Sequence, residues 1–405
     1  MINIKEENHL KIAVIGAGAM GSMLGAALTA GGADVTLIER RQEICDALNN
    51  KGLTIKQYAG NEPTEINVPV KASPTVEGLG KMDALLIMVK GPNTEGAMVS
   101  ALPLVDEHTK VITLQNGIGN TEIIEKLVDP RNIYYGCLNL SAIMESPGVL
   151  IGSAFGKVNV YLGSVSKTEE QVPFGQELCA IFQRGMLKAE YTDNIDYEVW
   201  SKLLINIAVN ASCGLVRLRG GEAGEDQNFV MLAVDMVKEA IDVAKACGVE
   251  LDLGQFLTRT LPSARKHSGA HYPSMAQDML ITKAPTEIEF LNGAVERLGE
   301  RYGVPTPVNT TICRLVRTIE HNYDRQYVEK AAKTGPSYTV TVNDKFCKGC
   351  GYCVKYCPKK VLALDESLSG KGYRIAKVAD KKGCIGCASC AVVCPEGAIT
   401  LEKEG

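Results

Sequence analysis

Residues 11–21 read Lys11-Ile12-Ala13-Val14-Ile15-Gly16-Ala17-Gly18-Ala19-Met20-Gly21, and most of the fold can be worked out from this stretch. Five β-prone residues run into a glycine turn. A helix of small residues, Ser22 to Ala30, follows and is stopped by Gly31-Gly32. Asp34 to Ile38 is a second strand, and Glu39 closes it. Strand, glycine turn, helix and a strand ending in an acid form the opening unit of a dinucleotide-binding sheet. Gly16 permits the tight turn, Gly18 lets backbone approach a pyrophosphate, and Gly21 lets helix and sheet close on each other. The segment Gly16-Ala17-Gly18-Ala19-Met20-Gly21 therefore offers orphan helix-start amides to phosphate. A merely structural glycine turn explains the three glycines but not the strand, helix and acid in order. Glu39 suits a ribose 2′-hydroxyl and NADH, whereas Arg40 and Arg41 suit a 2′-phosphate and NADPH. At this point both coenzymes stay open.

Further apolar runs at Ala84 to Val89, Val111 to Leu114 and Ile133 to Gly136 continue the strand pattern between helical segments. The expectation is an α/β, Rossmann-type, doubly wound parallel sheet over residues 1–192. Past it the pattern turns helical: Asp196 to Val216, Phe229 to Cys247, Glu287 to Tyr302 and Thr310 to His321. An all-helical substrate domain is expected over 193–330, a linker over 331–340, and a small cysteine-rich α+β domain over 341–405. The length of 405 residues allows these three domains. An apolar share of 45% supports packed cores, and the net charge of −4 with interspersed signs points away from nucleic acid. No run of the sequence reads as a membrane span, and residues 1–10 are polar, without a signal-peptide core.

The tail carries its own signature. Cys347, Cys350, Cys353 and Cys357 precede Pro358; Cys384, Cys387, Cys390 and Cys394 precede Pro395. Both runs are C-x2-C-x2-C-x3-C-P, the spacing of two 4Fe–4S clusters. The last Cys of each run crosses over, giving Cys347, Cys350, Cys353 and Cys394 for one cluster and Cys384, Cys387, Cys390 and Cys357 for the other. Zinc explains paired C-x2-C knuckles but neither the third Cys nor the Cys-Pro, and no His follows His321. The other six of the 14 Cys are scattered, as in a reducing cytoplasm rather than a disulfide framework.

Inside Trp200-Ser201-Lys202-Leu203-Leu204-Ile205-Asn206-Ile207-Ala208-Val209-Asn210, the polar Lys202, Asn206 and Asn210 recur every four residues on one helix face. The rest of the helix is apolar nearly all round and so is expected to be buried. A solvated edge stripe is the bland alternative. Two Asn are costly in a buried helix unless they face a polar cleft.

With these motifs in hand, residues 10–325 resemble the 2-dehydropantoate 2-reductase (ketopantoate reductase) family. The glycine loop, Val89-Lys90, Leu114-Gln115-Asn116-Gly117, the Trp200–Asn210 helix, Ser274-Met275-Ala276-Gln277-Asp278 and Thr286-Glu287-Ile288-Glu289 with Asn292-Gly293 carry the resemblance in order. It implies reduction of a 2-oxo acid to a 2-hydroxy acid with NADPH, NADH being the alternative. In this family the reaction is 2-dehydropantoate to pantoate. It makes Lys202 the proton donor, with Glu287 beside it. Asn116, Asn206, Asn210 and Ser274 would hold substrate, while Lys90, Asn116, Ala142 and Glu287 would join Glu39, Arg40 and the glycine loop around the coenzyme. Two departures lie at the substrate end: Ala211 where the family often has Pro, and one extra residue between Ser274 and Glu287.

The tail is similar to two-cluster bacterial ferredoxins, most of all to the small iron–sulfur subunit of 2-oxo acid:ferredoxin oxidoreductases. That similarity implies such an oxidoreductase as a redox partner, and the reductase family admits a homodimer. Neither a membrane nor nucleic acid is expected as a partner. A second reading makes the chain an electron carrier whose dinucleotide domain only senses NAD(P); the intact Lys202, Asn206, Asn210 and Glu287 set argues against it. A third makes it a related dehydrogenase with a different substrate, an imino or hydroxy acid.

Overall fold

The computed structural model describes residues 9–59, 62–154, 157–260, 272–326, 338–370, 372–380 and 383–403. β1 (Lys11–Ile15) lies inside a sheet, with four of its five residues buried. It pairs in parallel with β2 (Asp34–Ile38) on one side and β6 (Ala84–Ile87) on the other. β5 (Lys71–Ser73) extends the β2 side, and β7 (Lys110–Thr113) and β8 (Ile133–Leu138) extend the β6 side, all parallel. Strands covered on both faces need near-continuous apolar runs, which is why these segments read as such in the sequence. Beyond β8 the direction changes: β11 (Val160–Ser164) is antiparallel to it and carries β12 (Ala189–Tyr191). The Rossmann-type class holds, with this antiparallel edge added. A second sheet also belongs to this part of the chain, in the order β4 (Glu62–Val68), β3 (Leu53–Ala59), β10 (Val149–Ala154) and β9 (Leu140–Ser146); no sequence motif announced it.

The chain reverses its lateral progress at β1, so the loops after β1, β6 and β7 emerge side by side at the carboxyl ends of adjacent strands. That is where open α/β sheets bind ligands. Those loops carry Gly16–Gly21, Lys90 and Asn116.

The helical part is organised by Ile195–Val216, whose Trp200, Leu203, Leu204, Ile207 and Ala211 pack with Met236, Val237 and Ala240 of Gln227–Ala246. Among the described residues it is one helix long and apolar enough to cross a membrane, but 67% of its most apolar window is buried. Its apolarity belongs to this core. The segment expected as one helix, Glu287 to Tyr302, is broken: a 3-10 turn spans Ile288–Phe290, Leu291 leaves the helical region at φ −105°, ψ −103°, and the helix proper is Asn292–Tyr302. Asn292 and Asn309 pair at 2.9 Å, and Glu239 accepts from Val308 N and Asn309 N, capping the helix Pro307–Glu320.

Contacts divide the chain into two units, 1–324 and 325–405. In the second, β13 (Tyr338–Val342) pairs with β16 (Ile399–Lys403), and β14 (Leu362–Leu364) with β15 (Ala376–Val378), both antiparallel. Residues 338–340 of the expected linker are thus strand; 331–337 lie outside the described residues. The core is small: Val340, Val361, Leu362, Ala376 and Ile399 with Cys353 and Cys390.

Candidate functional site

At the glycine loop, Gly16 has φ +97°, and its N–H and that of Ala17 both donate to Ile38 O. A methyl group at Gly21 would lie 2.2 Å from the Gly16 carbonyl oxygen, so helix and turn touch only because that group is missing. A methyl group at Gly18 would meet nothing within 4 Å. The helix Ala19–Ala30 starts without a side-chain cap and without an acid in its first turn. Open space beside uncapped helix-start amides fits a pyrophosphate. Met20 and Ala142 are half-buried against one apolar cluster.

At the end of β2, Glu39 does not stand free. Arg41 Nε donates to Oε1 at 2.8 Å, and Arg41 Nη2 to Oε2 at 3.1 Å. That clamp holds the Glu39 carboxyl below its ordinary range. Arg40 is exposed.

Lys90, Asn116 and Glu287 come together. Gly91 N donates to Glu287 Oε1 at 3.3 Å, and Lys90 and Asn116 lie near enough to favour the charged form of the same carboxylate. Burial nevertheless pushes Glu287 above the usual carboxylate range. Two glycines fix the turn that presents it: a methyl group at Gly117 (φ +87°) would strike Phe290 O at 2.1 Å, and one at Gly91 the Phe290 ring at 2.5 Å. Ile118 N donates to Phe290 O at 2.8 Å. Lys90 Nζ meets Asp278 Oδ1 at 2.5 Å. Asp278, 8% exposed, was quoted in the sequence without a role. Burial raises its pKa, while Lys90 counteracts. A carboxylate inside an otherwise apolar run, Met279-Leu280-Ile281 after it, was the available signal.

On the long helix, Asn206 and Asn210 are buried, and Asn206 Nδ2 is a buried donor with no hydrogen-bond partner in the protein. Buried donors are normally satisfied, so this one calls for a ligand or water. Lys202, one turn earlier, is half-buried; enough protein surrounds its amine that desolvation pulls its pKa below the lysine range. Cys137 at the end of β8 stands beside it as a neutral thiol, pushed up to about 12 by burial. Ser274 begins the short helix Ser274–Gln277, next to the long helix, where a methyl group at Gly214 would meet Ala276 Cα at 3.4 Å. A separate cavity of about 360 Å³ borders Gln115, Asn120, Tyr135, Asp196 and Trp200, and none of the sequence-derived site residues lines it.

In the second unit the thiols surround two cavities. Cys347, Cys350, Cys353 and Cys394 line one; Cys384, Cys387, Cys390 and Cys357 line the other. The fourth Cys of each run thus faces the cavity of the other. Val361 N donates to Cys357 Sγ and Ala398 N to Cys394 Sγ, each at 3.3 Å, so the duplication extends to hydrogen bonds. Among the described residues no three His, Cys, Asp or Glu converge as on a single ion. Four sulfurs spaced around a cavity suit a cubane rather than zinc.

Comparison with known proteins finds matches for both units. Residues 12–167 match the ketopantoate reductase PanE/ApbA family, residues 194–320 its C-terminal family, and residues 346–404 the 4Fe-4S dicluster domain. The 2-dehydropantoate 2-reductase of Lactococcus lactis subsp. lactis is 34% identical over 312 residues, covering 77% of this chain and 98% of the relative.

The chain belongs to the ketopantoate reductase family.

Another member, the 2-dehydropantoate 2-reductase of Pyrococcus horikoshii, is 32% identical over 77% of this chain and 98% of its own length. Among solved structures, the 2-dehydropantoate 2-reductase from Geobacter metallireducens superposes with TM-score 0.69 at 28% identity, covering 76% of this chain and 99% of that one. A D-mandelate dehydrogenase solved with NADH and anilino(oxo)acetate gives TM-score 0.69 at 30% identity, over 78% of this chain and 100% of that one. The reductase fold thus binds NAD(P)H.

Proposed function

We propose that the chain reduces the C2 ketone of a 2-oxo acid, 2-dehydropantoate, to the hydroxyl with NADPH, and that its tail holds two 4Fe–4S clusters. The observation that carries the reductase reading is the Lys202, Asn206, Asn210 face with its unsatisfied buried Nδ2. When bound, the nicotinamide supplies the hydride. Everything else is the work of side chains. Oxygen at C2 becomes an alkoxide as hydride arrives, and the Lys202 ammonium stabilises that charge and gives up its proton. Asn206 donates to the substrate; Asn210 and Ser274 hold its hydroxyl and carboxylate ends. Asn116 and Lys90 orient the nicotinamide end together with Glu287, and Ala142 lines the coenzyme. Gly16 to Gly21 receive the pyrophosphate. Because Arg41 already neutralises Glu39, a 2′-phosphate meets Arg40 without an opposing free carboxylate, which supports NADPH over NADH.

The test is an anaerobic assay following coenzyme oxidation with 2-dehydropantoate, with NADPH and NADH in parallel. The likeness to D-mandelate dehydrogenase makes 2-oxo-2-phenylacetate the comparison substrate. A folded chain that oxidises neither coenzyme with any 2-oxo acid overturns the reading.

For the tail, the ligand sets are the two cavity sets. Hydride carries two electrons while a cubane takes one, and flavins normally mediate between them. No second nucleotide motif occurs in the sequence, so the tail serves a separate redox partner, a 2-oxo acid:ferredoxin oxidoreductase. Co-purification from the native host tests this: absence of such a partner, with electron transfer unchanged by tail deletion, removes it.

A further inference from the structure

We propose that the outer face of the first cysteine repeat, formed by Lys355, Lys359 and Lys360 with Tyr352 and Tyr356, is where the redox partner docks, and that the partner meets it with a carboxylate-rich surface. The proposal rests on the reading of the tail as a two-cluster carrier with a separate partner. Charge is divided unevenly along this chain. Residues 325–405 hold 14 Lys and Arg against eight Asp and Glu, whereas residues 1–324 hold 29 against 39. The tail is thus the basic part of a chain whose net charge is −4. Such an asymmetry bears on what a unit associates with rather than on how it folds.

The internal duplication shows which residues the cavities do not require. Each Cys of the first run has its counterpart 37 residues later: Cys347 and Cys384, Cys350 and Cys387, Cys353 and Cys390, Cys357 and Cys394. By the same offset Lys355 corresponds to Val392, Lys359 to Glu396 and Lys360 to Gly397, while Tyr352 and Tyr356 correspond to Ser389 and Val393. A thiol-lined cavity is built with either set, so the lysines and tyrosines of the first repeat are spare for another task. Their placement suits electron exchange. Tyr352–Lys355 is a one-turn helix, and Tyr356 N donates to Tyr352 O at 2.9 Å to extend the turn. Cys353 on this turn lines one cavity, and Cys357 just beyond it lines the other. Tyr352, Lys355 and Tyr356, spaced i, i+3, i+4, share its outer side and are exposed. Lys355 Nζ lies over the Tyr356 ring, 5.7 Å from its centroid. Lys359 and Lys360 follow, both exposed, in a turn where Lys360 N donates to Cys357 O at 3.1 Å. Two acids of the unit are engaged by other cations: Glu396 pairs with Lys348 at 3.0 Å and Asp365 with Lys377 at 3.5 Å. Exposed tyrosines are the usual anchors of a protein interface, and cations around them steer an acidic partner. Nucleic acid also favours basic, aromatic surfaces. It brings no electron, however, and this face abuts both thiol-lined cavities.

The experiment uses the full chain, reconstituted anaerobically, with iron and acid-labile sulfide measured and the clusters then reduced with dithionite. Two one-electron oxidants of opposite charge are mixed in by stopped flow, the cobalt(III)–EDTA anion and the hexaamminecobalt(III) cation. Each takes one electron from a reduced cluster, gives cobalt(II) and moves no proton. The variant is Lys355→Val with Lys360→Gly, which gives the first repeat what the second already carries. At low salt it should react about tenfold more slowly with the anion and no more slowly with the cation, and high salt should erase the difference. Adding Val392→Lys, which returns a charge to the other repeat, should not restore the rate. The third probe is the 2-oxo acid:ferredoxin oxidoreductase purified from the native host, whose reduction of the oxidised tail should show the same loss and the same salt dependence. An anion rate unchanged in the variant, or restored in full by Val392→Lys, overturns the docking face. No exchange with the oxidoreductase, while the cobalt pair behaves as expected, overturns the named partner and leaves the basic face standing. A single-stranded DNA oligonucleotide retained by the wild type and released by the variant, with oxidation rates unaltered, gives the face to nucleic acid and overturns the proposal. Iron for fewer than two clusters overturns the two-cluster reading itself.

Discussion

Lys202 is asked to be charged where charge is costly. In the proposed mechanism its protonated form is the acid for ketone reduction, and burial lowers its pKa. Reduction should therefore fall as pH rises through that lowered value, at a pH below the usual lysine range, and the pH–rate profile of coenzyme oxidation reads it directly. Lys202→Ala should lose about 10²–10⁴ in kcat, the span of a positioned acid–base group. Asp278 gives a subtler case. Replacing it with Asn removes the partner that holds Lys90 at 2.5 Å. Loss of a hydrogen bond to a charged group, about 1.5–3 kcal/mol when fully buried, is softened here because Lys90 is 45% exposed. Asp278→Asn should raise the coenzyme KM by roughly tenfold with a smaller change in kcat, and Asp278→Glu should recover part of it. Steady-state kinetics with NADPH varied at saturating 2-oxo acid separates the two effects. Lys202, Asn206 and Asn210 were legible because their spacing alone places them on one helix face. The Lys90–Asp278 pair was not, because 188 residues separate the partners and only the folded chain brings them together. Arg41 lay in plain view, yet a sequence does not say whether a neighbouring cation will clamp Glu39 or leave it for the ribose.

At the scale of elements, the glycine loop separates folding from binding. Gly18→Ala places its methyl group in open space. Thermal stability should stay near wild type while NADPH affinity falls, since in the proposed binding mode that space is where backbone and pyrophosphate would meet. Gly21→Ala drives a methyl group to 2.2 Å from a carbonyl oxygen. It should lose about 1–3 kcal/mol of stability as well as coenzyme binding. Melting curves with and without NADPH distinguish the two variants; equal melting of both free proteins would contradict the packing described. The strand–glycine–helix opening was readable because each residue type has a local job. The β4–β3–β10–β9 sheet was not, since no local motif marks it. The break at Leu291 also escaped, because the periodicity of Glu287 to Tyr302 continues across it while Gly91 and Gly117 dictate the turn from elsewhere in the chain.

For the whole molecule, the units 1–324 and 325–405 differ in what sustains them. The first owns extensive apolar cores on both sides of its sheet and among its helices. The second has a handful of buried aliphatic side chains and depends on what fills its thiol-lined cavities. Removing iron with a chelator under mild oxidation should abolish the visible absorbance of the tail and its ordered circular dichroism. Reduction of the 2-oxo acid should continue. A chain ending at Asp324 should likewise keep reductase turnover, as expected from relatives that match over 98% of their length without a tail. Loss of turnover on chelation would tie the two units functionally. The domain types were legible from cysteine spacing and glycine patterning; the Lys348–Glu396 pair on the wall of one thiol-lined cavity was not, because 48 residues separate its partners.

The wedge of Phe290 against Gly91 and Gly117 has a kinetic corollary. Glu287 cannot drift from the loops bearing Lys90 and Asn116, because steric contact locks all three into one rigid cassette. In the proposed binding mode the nicotinamide ring would therefore meet a preassembled receptor, with little ordering entropy left to be spent at encounter. Substituting Phe290 with a small side chain should loosen that cassette and slow productive capture even though no reacting group has been changed.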